Sequence, residues 1–70
     1  MFNLAAALAG RHGQYDFDTL QEILRQIRRE HLGEISPEVG TNELFQLAIE
    51  RNLIHEDEAG NFHITIGQAA

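Results

Sequence analysis

Two histidines, His55 and His63, are the residues whose spacing in this sequence could support metal chemistry. They lie in two short segments where isoleucine and phenylalanine alternate with polar residues, a pattern typical of a half-buried β-hairpin. At opposed strand positions, two imidazoles could share a divalent metal ion or, when both are protonated, repel each other. Glu56 would point to the opposite face, which leaves the pair without an assured third ligand, and we expect no resident metal or cofactor.

The length of the hairpin loop determines which residues face each other. A four-residue loop at 57–60 would place Ile54 opposite His63, on the wrong face of the hairpin. A three-residue loop at 58–60 instead places Gly60 at the left-handed position that such loops need. This register pairs Ile54 with Ile64, His55 with His63, Glu56 with Phe62 and Asp57 with Asn61. We expect the second strand to continue to Ile66.

Residues for catalysis are sparse. The chain has no cysteine, and its single serine, Ser36, has no nucleophile motif around it. There is no glycine-rich phosphate loop and no H-E-x-x-H sequence. The many carboxylates are scattered, and a chain of 70 residues implies no apolar pocket large enough to shift their pKa values. We therefore predict a non-enzymatic protein.

Charge is distributed unevenly along the chain. The net charge is −6, and all five basic residues are arginines. Residues 1–29 carry a net charge of +1, whereas residues 30–58 carry −7. An acidic half repels nucleic acid and attracts basic protein surfaces. The predicted partner-binding acids lie in the third helix and the hairpin: Glu43, Glu50, Glu56, Asp57 and Glu58.

Length and composition predict one small domain. A core built from 70 residues is marginal, and without cysteine it has no disulfide to stabilise it, so a homodimer is one expected form. No segment approaches a membrane span, and the apolar N-terminus lacks the basic start of a signal peptide. We expect a soluble, cytoplasmic domain with an arm and loop at 1–15, a core at 16–66 and a frayed tail at 67–70.

The N-terminal arm is predicted to be a short helix from Asn3 to Ala9, ended by Gly10. Two turns alone are marginal in water, so its apolar residues must pack on something. Phe2, Leu4 and Leu8 would pack either on the domain's own core or on a second copy or a partner. Residues 10–15 have two glycines and no periodicity, which predicts a loop.

The main helix is predicted from Asp18 to His31. Asp16 or Asp18 can cap it, with Thr19 and Glu22 as an alternative capping box. Its apolar stripe consists of Leu20, Ile23, Leu24, Ile27 and His31. Arg25, Arg28 and Arg29 lie at helical spacing on the other face. They either complement the helix dipole or form a patch that binds an anion or an acidic partner.

The last helix is predicted from Asn42 to Asn52, with Thr41 as its N-cap. It carries enough apolar residues that we expect burial on most sides, which leaves a narrow exposed strip. In the link before it, Ile35 is expected to be buried, and a short edge strand is suggested there. The predicted core consists of Ile23, Leu24, Ile27, Leu44, Leu47, Ala48, Ile54, Phe62 and Ile64.

From Asp18 onward, the order of a helix, the Ile35 segment, a helix and a hairpin resembles the winged helix–turn–helix superfamily. Residues 41–44, TNEL, would open the recognition helix, and 53–55 with 62–64 would form the wing. Residues 36–40 are too short for the further helix that normally precedes the recognition helix. The recognition helix would expose Glu43 and Glu50, and the wing tip is acidic, so both would face phosphate with like charge.

We therefore predict an α+β fold with one short helix, two longer helices and a C-terminal hairpin. The first functional hypothesis is a protein–protein interaction module that binds a basic partner through its acidic residues. The second is a dimeric DNA-binding regulator that contacts phosphate through the arginine patch. The third is an acidic decoy that occupies the nucleic-acid-binding site of another protein.

Overall fold

The computed structural model describes residues 2–64, and its elements are numbered in chain order. They are α1 (Leu4–Ala9), β1 (Gly13–Tyr15), α2 (Phe17–Glu30), α3 (Thr41–Glu50), β2 (Ile54–Glu56) and β3 (Phe62–Ile64). The fold is a small α+β arrangement of three helices and a three-stranded antiparallel sheet. The predicted extension of the second strand to Ile66 and the predicted tail lie outside the described residues. No helix among residues 2–64 has the length and apolar character needed to cross a membrane.

The first helix belongs to the domain core. The Asn3 side chain accepts a hydrogen bond from the Ala6 N–H (3.2 Å), which caps the helix N-terminus as predicted. Leu4 and Leu8, one turn apart, are fully buried within the chain's own core. These two leucines therefore pack on the domain's own core, the first of the alternatives predicted for the arm.

The second helix begins one residue earlier than predicted and ends at Glu30. Asp16 is its N-cap, and the Asp16 Oδ1 accepts a hydrogen bond from the Thr19 N–H at 2.8 Å. Hydrogen bonding from Thr19 holds the pKa of Asp16 below its ordinary value. Leu20, Leu24 and Ile27 are fully buried, which confirms the central part of the predicted stripe, whereas Ile23 is only partly buried.

The link between α2 and α3 consists of turns rather than a strand. Ile35 is buried, as predicted, but it lies in a bend, and its N–H donates to the His31 carbonyl (2.9 Å). The suggestion of an edge strand at Ile35 is therefore wrong. A single buried isoleucine can anchor a turn as well as a strand, because burial alone does not specify backbone pairing.

The third helix is less buried than its composition predicted. It runs from Thr41 to Glu50 with Gly40 as its N-cap, and the Glu43 side chain accepts from the Gly40 N–H at 3.0 Å. Only Leu44 and Ala48 are fully buried, while Ile49 is 39% exposed. Burial on most sides was wrong because the domain is too small to cover more than one face of this helix.

The hairpin forms with the predicted register. Ile54 pairs with Ile64, His55 with His63 and Glu56 with Phe62. Gly60 has φ of +85°, so the left-handed position predicted for it is confirmed. The Asp57 N–H also donates to the Asn61 carbonyl at 2.8 Å, which closes the three-residue loop.

A third strand adds to this hairpin, so the prediction of a loop at 10–15 was wrong for residues 13–15. β1 pairs antiparallel with β3, Gly13 with Ile64 and Tyr15 with Phe62, so the sheet order is β1-β3-β2. Gly13 has φ of +150°, a conformation that other residues rarely adopt. The Tyr15 hydroxyl donates to the Arg11 carbonyl at 3.0 Å, which fixes the turn that leads into the strand.

The core forms where the inner face of the sheet meets all three helices. Of the predicted core, Ile23 and Leu47 are only partly buried, and the other seven residues are buried. The structure adds four residues that the predicted core lacked: Leu4, Leu8, Leu20 and Ile35. The short first helix therefore contributes two buried residues to the core, as many as α3 and one fewer than α2.

Candidate protein-interaction surface

The three arginines of α2 do not form one free patch. Arg28 is half-buried, and its Nε donates to the Val39 carbonyl (2.7 Å), with a second bond from Nη2 to the Pro37 carbonyl at 3.5 Å. Arg25 forms an ion pair with Glu22 one turn earlier. Arg29 makes no ion pair with any residue in the described part of the chain.

Arg11 is also held within the domain. Its Nη1 donates to the Ala7 carbonyl at 2.9 Å, which satisfies an acceptor near the end of α1. Its Nη2 lies 3.3 Å from the Glu30 carboxylate at the end of α2. Arg11 therefore links the C-terminal ends of α1 and α2, and its guanidinium is engaged by groups of the domain itself.

The predicted acidic residues separate into two groups. Glu43 and Glu50 line one open groove along α3, together with Asn42, Gln46 and Leu47. Glu56, Asp57 and Glu58 lie at the tip of the hairpin. Glu50, Glu56 and Glu58 are exposed, and none of them forms an ion pair within residues 2–64.

Asp57 differs from its acidic neighbours because it organises the hairpin loop. Its Oδ1 accepts hydrogen bonds from the Ala59 and Asn61 N–H groups, both at 2.9 Å. Its Oδ2 lies 2.8 Å from the His63 Nε2 and accepts from the Gln14 Nε2 at 3.4 Å. The hydrogen bond with His63 is the main reason that the pKa of Asp57 lies below its ordinary value. We therefore assign Asp57 to the fold rather than to partner binding.

The two hairpin histidines are cross-strand neighbours, as the register predicted. His63 is engaged by Asp57 on one side, while His55 is exposed at the outer strand. Within residues 2–64, no group of three histidine, cysteine, aspartate or glutamate side chains is placed to hold a metal ion. The geometry gives His63 a role in joining the hairpin loop to β3.

An exposed apolar surface, formed by Phe17, Phe45 and Ile49, was not anticipated as a site. The Phe17 and Phe45 rings meet edge to face with centroids 5.7 Å apart, and both pack on Phe62, at 6.2 and 5.5 Å respectively. Phe17 is 48% exposed, and Ile49 follows Phe45 by one helical turn. Two features of the sequence could have indicated this surface. Phe17 lies off the apolar stripe of α2, and α3 has more apolar residues than one helix face can bury.

The expected self-association arm is absorbed by the fold. Leu4 and Leu8 are buried in the core, and Phe2 is half-buried with its ring centroid 5.1 Å from that of His31. Leu4 and Leu8 thus offer no surface to a second copy in this fold. This leaves the α3–hairpin side, defined by Glu50, Glu56, Glu58 and the exposed apolar surface, as the candidate site.

Comparisons with protein-family models, with curated proteins and with solved structures gave no match to this chain.

Proposed function

We propose that this chain is a non-enzymatic protein-interaction module whose acidic α3–hairpin side binds a basic surface of another protein. We further propose that its fold is of the winged-helix type. Three helices precede the hairpin, so α2 takes the place of the helix before the recognition helix, and α3 takes the place of the recognition helix. This element order supports the resemblance to the winged helix–turn–helix superfamily. With α2 and α3 in these roles, no further helix is needed at residues 36–40, which are too short to form one.

One observation carries the functional proposal: the negative charges of the α3–hairpin side are uncommitted, whereas most of the arginines are committed. Arg11, Arg25 and Arg28 are bound to acceptors within the domain. In the part of the chain that the structure describes, Glu50, Glu56 and Glu58 lack ion-pair partners. Complementary charge on a partner would steer and orient its association with this side.

The same observation argues against the DNA-binding alternative. Binding to DNA is dominated by neutralisation of phosphates by lysine and arginine. An α3 that exposes Glu43 and Glu50 would approach phosphates with like charge, and Arg28 is held by the link carbonyls. An acidic decoy would be one special case of our proposal, in which the basic partner is itself a nucleic-acid-binding protein.

A matched pair of charge reversals tests the proposal. The probe is a short fluorescein-labelled peptide of alternating lysine and glutamine, followed by anisotropy at about 50 and 200 mM salt. Glu50→Lys with Glu56→Lys should weaken binding about tenfold, because two attractions become repulsions. Glu34→Lys with Glu38→Lys changes the net charge equally, on the link, and should weaken it much less. Equal weakening by both pairs would mean that net charge alone attracts the peptide.

A further inference from the structure

We infer that the exposed apolar surface of Phe17, Phe45 and Ile49 receives an apolar anchor side chain of the basic partner. The partner is then a basic amphipathic segment rather than a uniformly charged one. This inference rests on the proposed function and adds the position of the contact and the chemistry of the partner.

The aromatic rings of this surface are held in place from below. Phe62 is 5% exposed and contacts both Phe17 and Phe45, and the Phe45–Phe62 pair meets edge to face. Edge-to-face aromatic pairs are favourable beyond the area they bury. The half-exposed ring of Phe17 is therefore a preformed surface, and an incoming side chain would meet rings that are already positioned.

The surface extends along α3. Ile49 lies one turn after Phe45 and is 39% exposed, so the helix continues the apolar strip that begins at Phe17. Contiguous apolar side chains on a surface, bordered by polar residues, are typical of interaction sites. The centres of protein interfaces are likewise enriched in aromatic residues and are surrounded by a polar rim.

The charges around this strip indicate what binds there. Glu56 pairs with Phe62 in the sheet register, so the two side chains leave the same face of the sheet. Glu56 is exposed and has no ion-pair partner among residues 2–64, so its negative charge at this strip is uncompensated within the described chain. Together with the net charge of −6, this acidic border complements a partner that carries lysine or arginine beside its apolar anchor.

A second copy of the chain is a poorer occupant than a basic partner. A symmetric dimer built on this surface would bring the same acidic border of both copies into one interface, with no basic group of the strip to offset it. The net charge of −6 adds a general repulsion between two copies. Self-association through this strip is therefore an outcome that the test must distinguish from partner binding.

The test compares two labelled peptides of equal length and charge by fluorescence anisotropy. One is a helical peptide of lysine and leucine with its leucines on one face, and the other has glutamine in place of every leucine. We expect the leucine peptide to bind at least about tenfold more tightly. Phe17→Ala and Ile49→Ala should each remove most of that advantage and leave the affinity for the glutamine peptide unchanged.

Leu32→Ala is the matched control, because Leu32 is the most exposed large apolar residue among residues 2–64, at 60%, and lies beyond the opposite end of α2 from Phe17. It should leave both affinities unchanged. Equal binding of the two peptides, or equal effects of all three substitutions, would overturn the inference and leave the proposed function standing. Failure of both peptides to bind would instead overturn the proposed function. A concentration-dependent dimer that Phe17→Ala abolishes would identify a second copy as the occupant and also overturn the inference.

Discussion

The α2 surface with its arginines and the α3–hairpin side with its acids differ in how much of their charge is already used. On α2, Arg28 binds two carbonyls of the link and Arg25 is paired with Glu22. On the α3–hairpin side, Glu50, Glu56 and Glu58 have no ion-pair partner among residues 2–64, and the large apolar side chains of Phe17, Phe45 and Ile49 lie partly open. Arg28 ties α2 to the link and is already engaged, which is the reason that our proposal places partner binding on the acidic side.

The largest expected contrast is between two phenylalanines that touch. Phe62→Ala should unfold the domain, since loss of a buried phenylalanine costs about 3–5 kcal/mol and a domain of this size has about 3–5 kcal/mol of stability in total. Phe17→Ala should cost only about 1 kcal/mol, because half of its ring remains in water. Urea denaturation followed by circular dichroism measures both. A comparable loss for Phe17→Ala would make it a core residue rather than part of a binding surface.

The next contrast concerns the arginines of α2. Arg28→Ala should lower the free energy of unfolding by about 1–2 kcal/mol, because two charge-assisted hydrogen bonds to the link are lost. Arg29→Ala, the matched substitution one residue along, should change it by less than about 0.5 kcal/mol. Thermal and urea denaturation provide the measurement. If the two variants were equally stable, Arg28 would be available to an external anion and the contrast between the two surfaces would weaken.

A third contrast separates Asp57 from the other acids of the hairpin. Asp57→Asn should lower the melting temperature, because its carboxylate accepts from two loop N–H groups and from the His63 side chain. Glu58→Gln should leave it nearly unchanged, since Glu58 is exposed and forms no ion pair within the described residues. If Glu58→Gln lowered the melting temperature more than Asp57→Asn, the Asp57 side chain would not be what stabilises the loop.

The same residue gives a pH dependence with a definite sign. The pKa of Asp57 is lower in the folded state than in the unfolded chain, so its stabilisation is complete above the unfolded value of about 3.9. That stabilisation is lost as the pH falls through the lower, folded value. The difference in melting temperature between wild type and Asp57→Asn should therefore shrink on acidification below about pH 4. A difference that stays constant down to pH 2 would contradict this assignment.

The smallest expected effect comes from a shielded side-chain amide on α2. The Gln21 Nε2 is inaccessible to solvent and donates to no acceptor among the described residues. Gln21→Met keeps the length of the side chain and removes this donor, so it should raise the free energy of unfolding by up to about 1 kcal/mol. Gln26→Met, on the exposed side of the same helix, is the control and should have no comparable effect.

The hairpin could be predicted from sequence because its information is local. Alternation around residues 54–64 and Gly60 in the loop fix the register without reference to any other element. β1 could not be predicted in the same way, because residues 10–15 have two glycines and no alternation. Its pairing partner, β3, lies about fifty residues away, and the strand forms because the sheet offers an open edge there.

The candidate site shows the same difference between features that local sequence specifies and features that depend on distant parts of the chain. The acids could be listed from the sequence, but the role of Asp57 depends on the position of His63 and Gln14 across the sheet. The arginine patch was predicted from helical spacing alone, which carries no information about the carbonyls of the link. The apolar surface was missed because the exposure of Phe45 and Ile49 depends on how much of α3 the other elements cover.

The most direct test of the account is an NMR titration of the isotope-labelled protein with the lysine–leucine peptide, and in parallel with mixed-sequence duplex DNA. We predict that the peptide shifts the backbone amide signals of Phe17, of residues 45–50 and of Glu56, and that DNA shifts none of these. Shifts concentrated at Arg25 and Arg29 on addition of DNA, with no response to the peptide, would contradict the proposal that the acidic α3–hairpin side is the binding surface. The arginine surface of α2 would then be the binding side.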